Sequence, residues 1–294
     1  MRFADSRVSR PRLVPRFAVA AVLTAAIFPF TPSLATESKA PPGMTLEEDH
    51  LCFNGKGSIE EVLGACGEYL KATDADTEHK IIAHGNRAIA YSAIGNLDAA
   101  IADLDAAAEL DDTRAAVFLA RARAYGQKKE FDKALADLNT TIELQPTSAA
   151  PHILRGVIFE AEDKNDEAIA EYSAGVEKNP EYTPGYVNRG TLYRTMKDYD
   201  HAAEDFSKVI ELKPEEAQAY IDRGWVYVLQ DNLDGAEDDF DTALELQENN
   251  AFALAGRGVV KSRKGKPTDG SADLHLAIKL EPNVIEEIKK LGVE

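Results

Sequence analysis

Tryptophan appears once in the 294 residues, cysteine twice and methionine three times, and aromatic residues make up only 7%. Two cysteines, Cys52 and Cys66, cannot build a multi-disulfide framework or a four-cysteine zinc site. No C-x-x-C pair, H-E-x-x-H helix, glycine-rich phosphate loop or G-x-S-x-G elbow occurs, so redox, metal, nucleotide and hydrolase signatures are missing. Apolar runs are short as well. The run from Phe17 to Phe30 has 14 residues and contains Pro29, against the roughly 20 that a spanning helix needs. Positive charge is scarce: 33 Lys and Arg face 51 Asp and Glu, for a net −18. Residues 1–35 hold five arginines and one aspartate, so the remainder is more acidic still. Such a body disfavours nucleic acid and anionic membranes, which are bound through Lys and Arg.

What is present begins with a leader. Arginines up to Arg16, the apolar run and the small-residue site Ser33-Leu34-Ala35 follow the order of a secretory signal over residues 1–35. The first cysteine, Cys52, lies well past that site, so neither lipid attachment nor membrane insertion is expected once the leader is removed. Residues 36–50, "TESKAPPGMTLEEDH", lack periodicity and read as a flexible linker.

From residue 81 the chain repeats itself. The segments "NRAIAYSAIGNLDAAIADL", "ARARAYGQKKEFDKALADL", "LRGVIFEAEDKNDEAIAEY", "NRGTLYRTMKDYDHAAEDF", "DRGWVYVLQDNLDGAEDDF" and "GRGVVKSRKGKPTDGSADL" align without gaps at a spacing of 34 residues. A fixed period of this size means a solenoid. The six units are 81–114, 115–148, 149–182, 183–216, 217–250 and 251–284. Position 8 is Ala88, Ala122, Gly156, Gly190, Gly224 or Gly258, and position 20 is alanine until Gly270. Position 11 is aromatic in five units and position 24 is large in all six. Small residues let two helices approach; bulky ones fill the space beside the crossing. Pro146, Pro180, Pro214 and Pro282 stop the second helix of their units.

This pattern resembles the tetratricopeptide repeat family over about residues 81–284. The resemblance implies an all-α, right-handed superhelical solenoid of six helix-turn-helix units, with a concave groove lined by the first helix of each. Two departures stand out. The usual tryptophan at position 4 is replaced by His84, Phe118, His152, Tyr186, Tyr220 and Leu254, and the usual leucine at position 7 is arginine. The sixth copy also carries Pro267 and Gly270 in its second helix. Residues 285–294 read as a short capping helix.

Residues 51–80 read as an N-terminal helical cap. Ser58 and Glu61 form a capping-box pair that starts a helix near Ile59. In an exported chain, Cys52 and Cys66 are expected to form a disulfide that fastens the cap, worth about 3 kcal/mol on a chain-entropy estimate. No histidine joins a ligand set: His84 and His152 hold position 4 of separate units, where helix packing accounts for them. The run "DKNDE" at Asp163 to Glu167 lacks the glycine of a calcium loop and falls on a turn. No metal, cofactor or catalytic residue is expected.

Position 7 is Arg87, Arg121, Arg155, Arg189, Arg223 and Arg257; position 23 is Asp103, Asp137, Glu171, Asp205, Asp239 and Asp273. Position 7 lies on the apolar stripe of the first helix, where an unpaired cation is costly. The arginines are therefore expected to be held by the acids as structural ion pairs rather than to line the groove. Positions 2, 5, 9, 12 and 13 are the expected groove stripe. It offers Arg123 and Gln127, Thr191 and Arg194, Ile221, Trp225, Val228 and Leu229, and Phe252 and Arg263, with the composition of a binding hot spot centred on Trp225. The function expected is a non-catalytic adaptor of the cell envelope, periplasmic rather than extracellular, that holds a peptide or protein segment. The alternative is a structural role in which the groove or C-terminal face joins two copies of the chain.

Overall fold

The computed structural model describes residues 51–53, 57–72 and 75–292. The expected leader and linker, residues 1–35 and 36–50, lie outside them. Every element is helical among the described residues. Helix α1 spans Ile59–Lys71, and the six units follow as pairs. These are α2 (Thr77–Ala93) with α3 (Leu97–Leu110), α4 (Ala115–Gln127) with α5 (Phe131–Leu144), and α6 (Ala150–Ala161) with α7 (Asn165–Lys178). Then come α8 (Thr183–Thr195) with α9 (Tyr199–Leu212), α10 (Ala217–Leu229) with α11 (Leu233–Leu246), and α12 (Ala251–Arg263) with α13 (Pro267–Leu280). A short α14, Val284–Lys290, closes the stack.

The start of α1 is fixed by its capping box. The Glu61 amide donates to Ser58 Oγ at 3.2 Å, and the Ser58 amide donates to Glu61 Oε2 at 2.7 Å. Pro267, which looked like an interruption, is the first residue of α13, where its missing N–H has no partner to lose.

Each pair turns in the same way. Position 15 takes a positive φ in every unit: Gly95, Lys129, Asp163, Lys197, Asp231 and Gly265 lie between 59° and 79°. The next amide then bonds back to the carbonyl of position 11 at 2.8–2.9 Å, as in Asn96 to Tyr91 and Asp198 to Tyr193. This is a Schellman closure of the first helix, and it aims the second helix back along the first.

The helix crossing is matched to its filler. Ala88 and Ala122 face Leu104 and Leu138, whereas Gly156, Gly190 and Gly224 face Tyr172, Phe206 and Phe240. At Gly156 a Cβ would lie 2.5 Å from the Tyr172 ring, so the larger filler requires the smaller partner. Leu138, Tyr172, Phe206 and Phe240 are all 0% exposed.

First helices of neighbouring units also touch each other, α2 with α4, α4 with α6, α6 with α8 and α10 with α12, and the closing α14 touches α12. Second helices form no comparable series. The first helices therefore make the inner layer of the stack and the second helices its outer layer. At the far end Val284 and Ile288 of α14 are 0% and 3% exposed, packed into the last core cluster. At the near end Cys52 and Cys66 are disulfide-bonded and fully buried. The bonded segment is tied to the first unit by Asn86 Nδ2, which donates to the Cys52 carbonyl at 2.6 Å.

Candidate functional site

The inner layer carries two sets of arginines. The first is the position-7 ladder, which the structure places inside the helix pairs. Arg121 donates from Nε and NH2 to the two oxygens of Asp137 at 2.8 and 2.7 Å. The same fork joins Arg87 to Asp103, Arg189 to Asp205, Arg223 to Asp239 and Arg257 to Asp273, at 2.6–2.9 Å. The third unit differs. Glu171 is one methylene longer and shares its oxygens between Arg155 NH2 (2.8 Å) and His152 Nδ1 (3.0 Å), which leaves the buried Arg155 Nε without an acceptor.

Sequence reasoning did not find the ladder's third contact. NH1 of each later arginine reaches back to position 25 of the preceding unit: Arg121 to Asp105, Arg155 to Asn139, Arg189 to Ser173, Arg223 to Ser207 and Arg257 to Asp241, at 2.7–3.0 Å. Each of these arginines thus ties two units together. Position 4 supplies the lid. Phe118, Tyr186 and Tyr220 lie 5.3–6.0 Å from the guanidinium of their own unit, and His84 Nδ1 lies 2.8 Å from Asp103.

The ionisation of the rungs follows their donors. Burial raises the carboxyls of Asp103, Asp205, Asp239 and Asp273. At Asp103, bonds from Arg87 and His84 more than offset it and leave the carboxyl below the ordinary value; Arg257 and Lys261 do the same for Asp273. Asp205 and Asp239 each have one arginine, and burial keeps them above it.

The second set lies on the expected groove stripe. Arg123, Gln127, Thr191, Arg194, Leu229 and Phe252 are half-buried and Arg263 is exposed. Three residues depart from expectation. Ile221, Trp225 and Val228 are each 1% exposed and belong to the core cluster of α10–α14. Trp225 sits edge-on to Phe240, ring centroids 5.2 Å apart. The stripe was assumed open, but α10 and α12 meet along it, and the small Ala251 and Ala255 of α12 share that cluster with the indole. These three residues are therefore packing residues and not an exposed hot spot. The Trp225 Nε1–H has no acceptor there.

The arginines of this stripe sit among groups the sequence reading passed over. Arg194 NH1 lies 3.6 Å from Asp222 Oδ1, and burial raises the Asp222 carboxyl. Burial pushes the Arg123 guanidinium down, with Tyr182 nearby pulling it back, and the Tyr182 hydroxyl is itself pushed up to about 12 by burial. Burial also raises Glu160, whose Oε2 accepts from the Tyr172 hydroxyl at 2.9 Å. A signal for Glu160 and Asp222 did exist: with Glu162 they are the only acids in positions 1–14 of the six units, against twelve Lys and Arg. Among the described residues no cluster of His, Cys, Asp and Glu is arranged to hold a metal, and no helix is long and apolar enough to cross a membrane.

Stacked helix pairs, a 34-residue period and an inner layer of first helices define an α-solenoid. Profiles described as "Tetratricopeptide repeat" match residues 86–149, 119–183, 184–216 and 217–250, and the chain belongs to that family. No curated protein matches the chain. Among solved structures it is similar to the C-terminal part of a TPR repeat-containing protein from Cytophaga hutchinsonii, at TM-score 0.62 and 16% identity over 83% of this chain and 98% of that one. It is also similar to Pseudomonas aeruginosa pilF, at 0.61 and 17% over 72% and 97%. A tetratricopeptide repeat protein from Parabacteroides merdae gives 0.58 and 19% over 84% and 99%. At these identities the likeness is one of fold. The fold is that of a protein–protein interaction scaffold, and proteins built on it are generally non-catalytic.

Proposed function

We propose that the protein is an exported adaptor of the cell envelope that holds a segment of another protein against its inner layer. One observation carries this reading: in a chain of net −18, the inner layer is cationic and apolar. Six of its arginines are committed to the ladder. Arg123, Arg194 and Arg263 stand on the other stripe, in units 2, 4 and 6, with Gln127, Thr191, Leu229 and Phe252 between them. A segment carrying acidic and apolar side chains fits such a surface, and the acidic outer layer repels it elsewhere. Export is supported by the order of the leader and by a disulfide, which persists in oxidising compartments.

The test is cross-linking in native envelopes, comparing the wild type with the Arg123→Glu, Arg194→Glu double variant and with Glu143→Lys on the outer layer. The inner variant should lose the cross-linked partner and the outer one should keep it. An unchanged pattern in the inner variant overturns the reading. Sequencing of the mature N-terminus should give Thr36; an intact Met1 overturns export by cleavage.

A further inference from the structure

The outer face of α13 differs from every other second helix. At position 29 five units carry glutamate, namely Glu109, Glu143, Glu177, Glu211 and Glu245, and the sixth carries Lys279. At position 26 the first five carry Ala106, Thr140, Ala174, Lys208 and Thr242, and the sixth carries Leu276. Leu276 is 40% exposed there and is joined by Leu280, 40% exposed, the position-30 leucine that Leu110, Leu144 and Leu246 match in other units.

The order along this face is self-complementary. Asp269, Ala272, Leu276 and Lys279 are spaced by three, four and three residues, so they share one side of the helix, and all four are exposed. Turned end for end about residue 274, the face meets itself with Asp269 opposite Lys279 and Ala272 opposite Leu276. Acid faces base and small faces large. Thr268 falls opposite Leu280 in the same register. Elsewhere the outer layer opposes a second copy: residues 81–250 hold 34 acids against 16 Lys and Arg, whereas residues 251–294 hold six against eight.

We infer that two copies of the chain pair through α13, antiparallel across a two-fold axis, which closes the assembly at a dimer. The outward-facing residues of α13 leave the inner layer of both copies open, so the inference is independent of the adaptor reading.

Sedimentation equilibrium of the purified protein tests it. The mass should rise with concentration from one chain to two and stop there. Leu276→Glu should leave a single chain at all concentrations, and Lys279→Glu should weaken pairing about tenfold, as losing an interfacial charge pair does. The double swap Asp269→Lys, Lys279→Glu should restore pairing, because acid again faces base. Glu143→Lys and Arg194→Glu should change nothing. The replaced α13 side chains are exposed, so far-UV circular dichroism of each variant should match the wild type. A single-chain mass throughout, a dimer untouched by Leu276→Glu, failure of the swap to rescue, or growth beyond two chains overturns the inference.

Discussion

Asp103 in the first unit and Asp205 in the fourth are equally buried, at 4% exposure, and each accepts the same two-bond fork from its arginine. Their carboxyls nevertheless shift in opposite directions: burial and the neighbouring Glu204 charge hold Asp205 up against one arginine, whereas Asp103 has a second donor in His84, where Asp205 has Tyr186. The two end units share a full fork plus a second donor, since Asp273 has Lys261; among the inner units the third also has a second donor, His152, but there the fork is split. They also share glycine at the positive-φ turn, where the inner units hold Lys129, Asp163, Lys197 and Asp231. Inner units are flanked on both sides and tolerate a rung with one arginine or a split fork, and a strained turn. End units, with less around them, carry the better local chemistry.

The largest test of this contrast removes the arginine. Arg189→Leu strands a buried carboxylate and should cost about 3–5 kcal/mol in chemical denaturation. Adding Asp205→Leu should recover most of that loss, and equal destabilisation by single and double variants would break the ion-pair account. Arg87→Leu should cost clearly less, because His84 remains bonded to Asp103.

A second test concerns the crossing. Gly156→Ala should destabilise by about 1–3 kcal/mol through overpacking against Tyr172, and Tyr172→Leu should relieve it by restoring the pairing of the first two units. A smaller effect is the response to acid. The depressed Asp103 contributes stability that is complete at neutral pH and is lost as pH falls through its folded value. The raised Asp205 binds its proton more readily folded than unfolded, so its effect runs the other way. As pH falls below the ordinary value of 3.8, the amide protection factors of α2 and α3 should drop before those of α8 and α9. Tyr186→His should lower the Asp205 carboxyl, as followed by NMR titration, and shrink that difference. The smallest effect is at the turn: Lys197→Gly should stabilise by about 0.5 kcal/mol in thermal melts by relieving the positive φ.

The fold was legible because repetition averages out local noise: one helix pair read six times gives a period, a crossing and a pair of stops. The pairing of positions 7 and 23 was visible for the same reason, since arginine and acid recur as types. Position 25 was invisible because Asp105, Asn139, Ser173, Ser207 and Asp241 share only the ability to accept a hydrogen bond. Trp225 was misplaced because a helical stripe says which residues point one way and not what stands there. In this chain the next first helix stands there. In units one to five the matching of glycine to an aromatic filler and alanine to leucine was present in the sequence, but it takes a contact distance to show that the two choices are linked; the sixth unit departs, with Gly258 against Leu274 and the Gly270 carbonyl.

The backward bond from each arginine to the preceding unit has a mechanical meaning. From the second unit onward, every junction along the solenoid is crossed by a polar staple placed 16 residues from its anchor. At the junction with α1 the residue 16 before Arg87 is Lys71, a cation, so Arg87 spends its fork on Asp103 and the polar tie is instead the bond from Asn86 to the Cys52 carbonyl. Pulled from its N-terminus, the molecule should yield there first, before its repeats peel away one by one. Each repeat would then release about 110 Å of extended chain, and the backward bonds would set the force of each step.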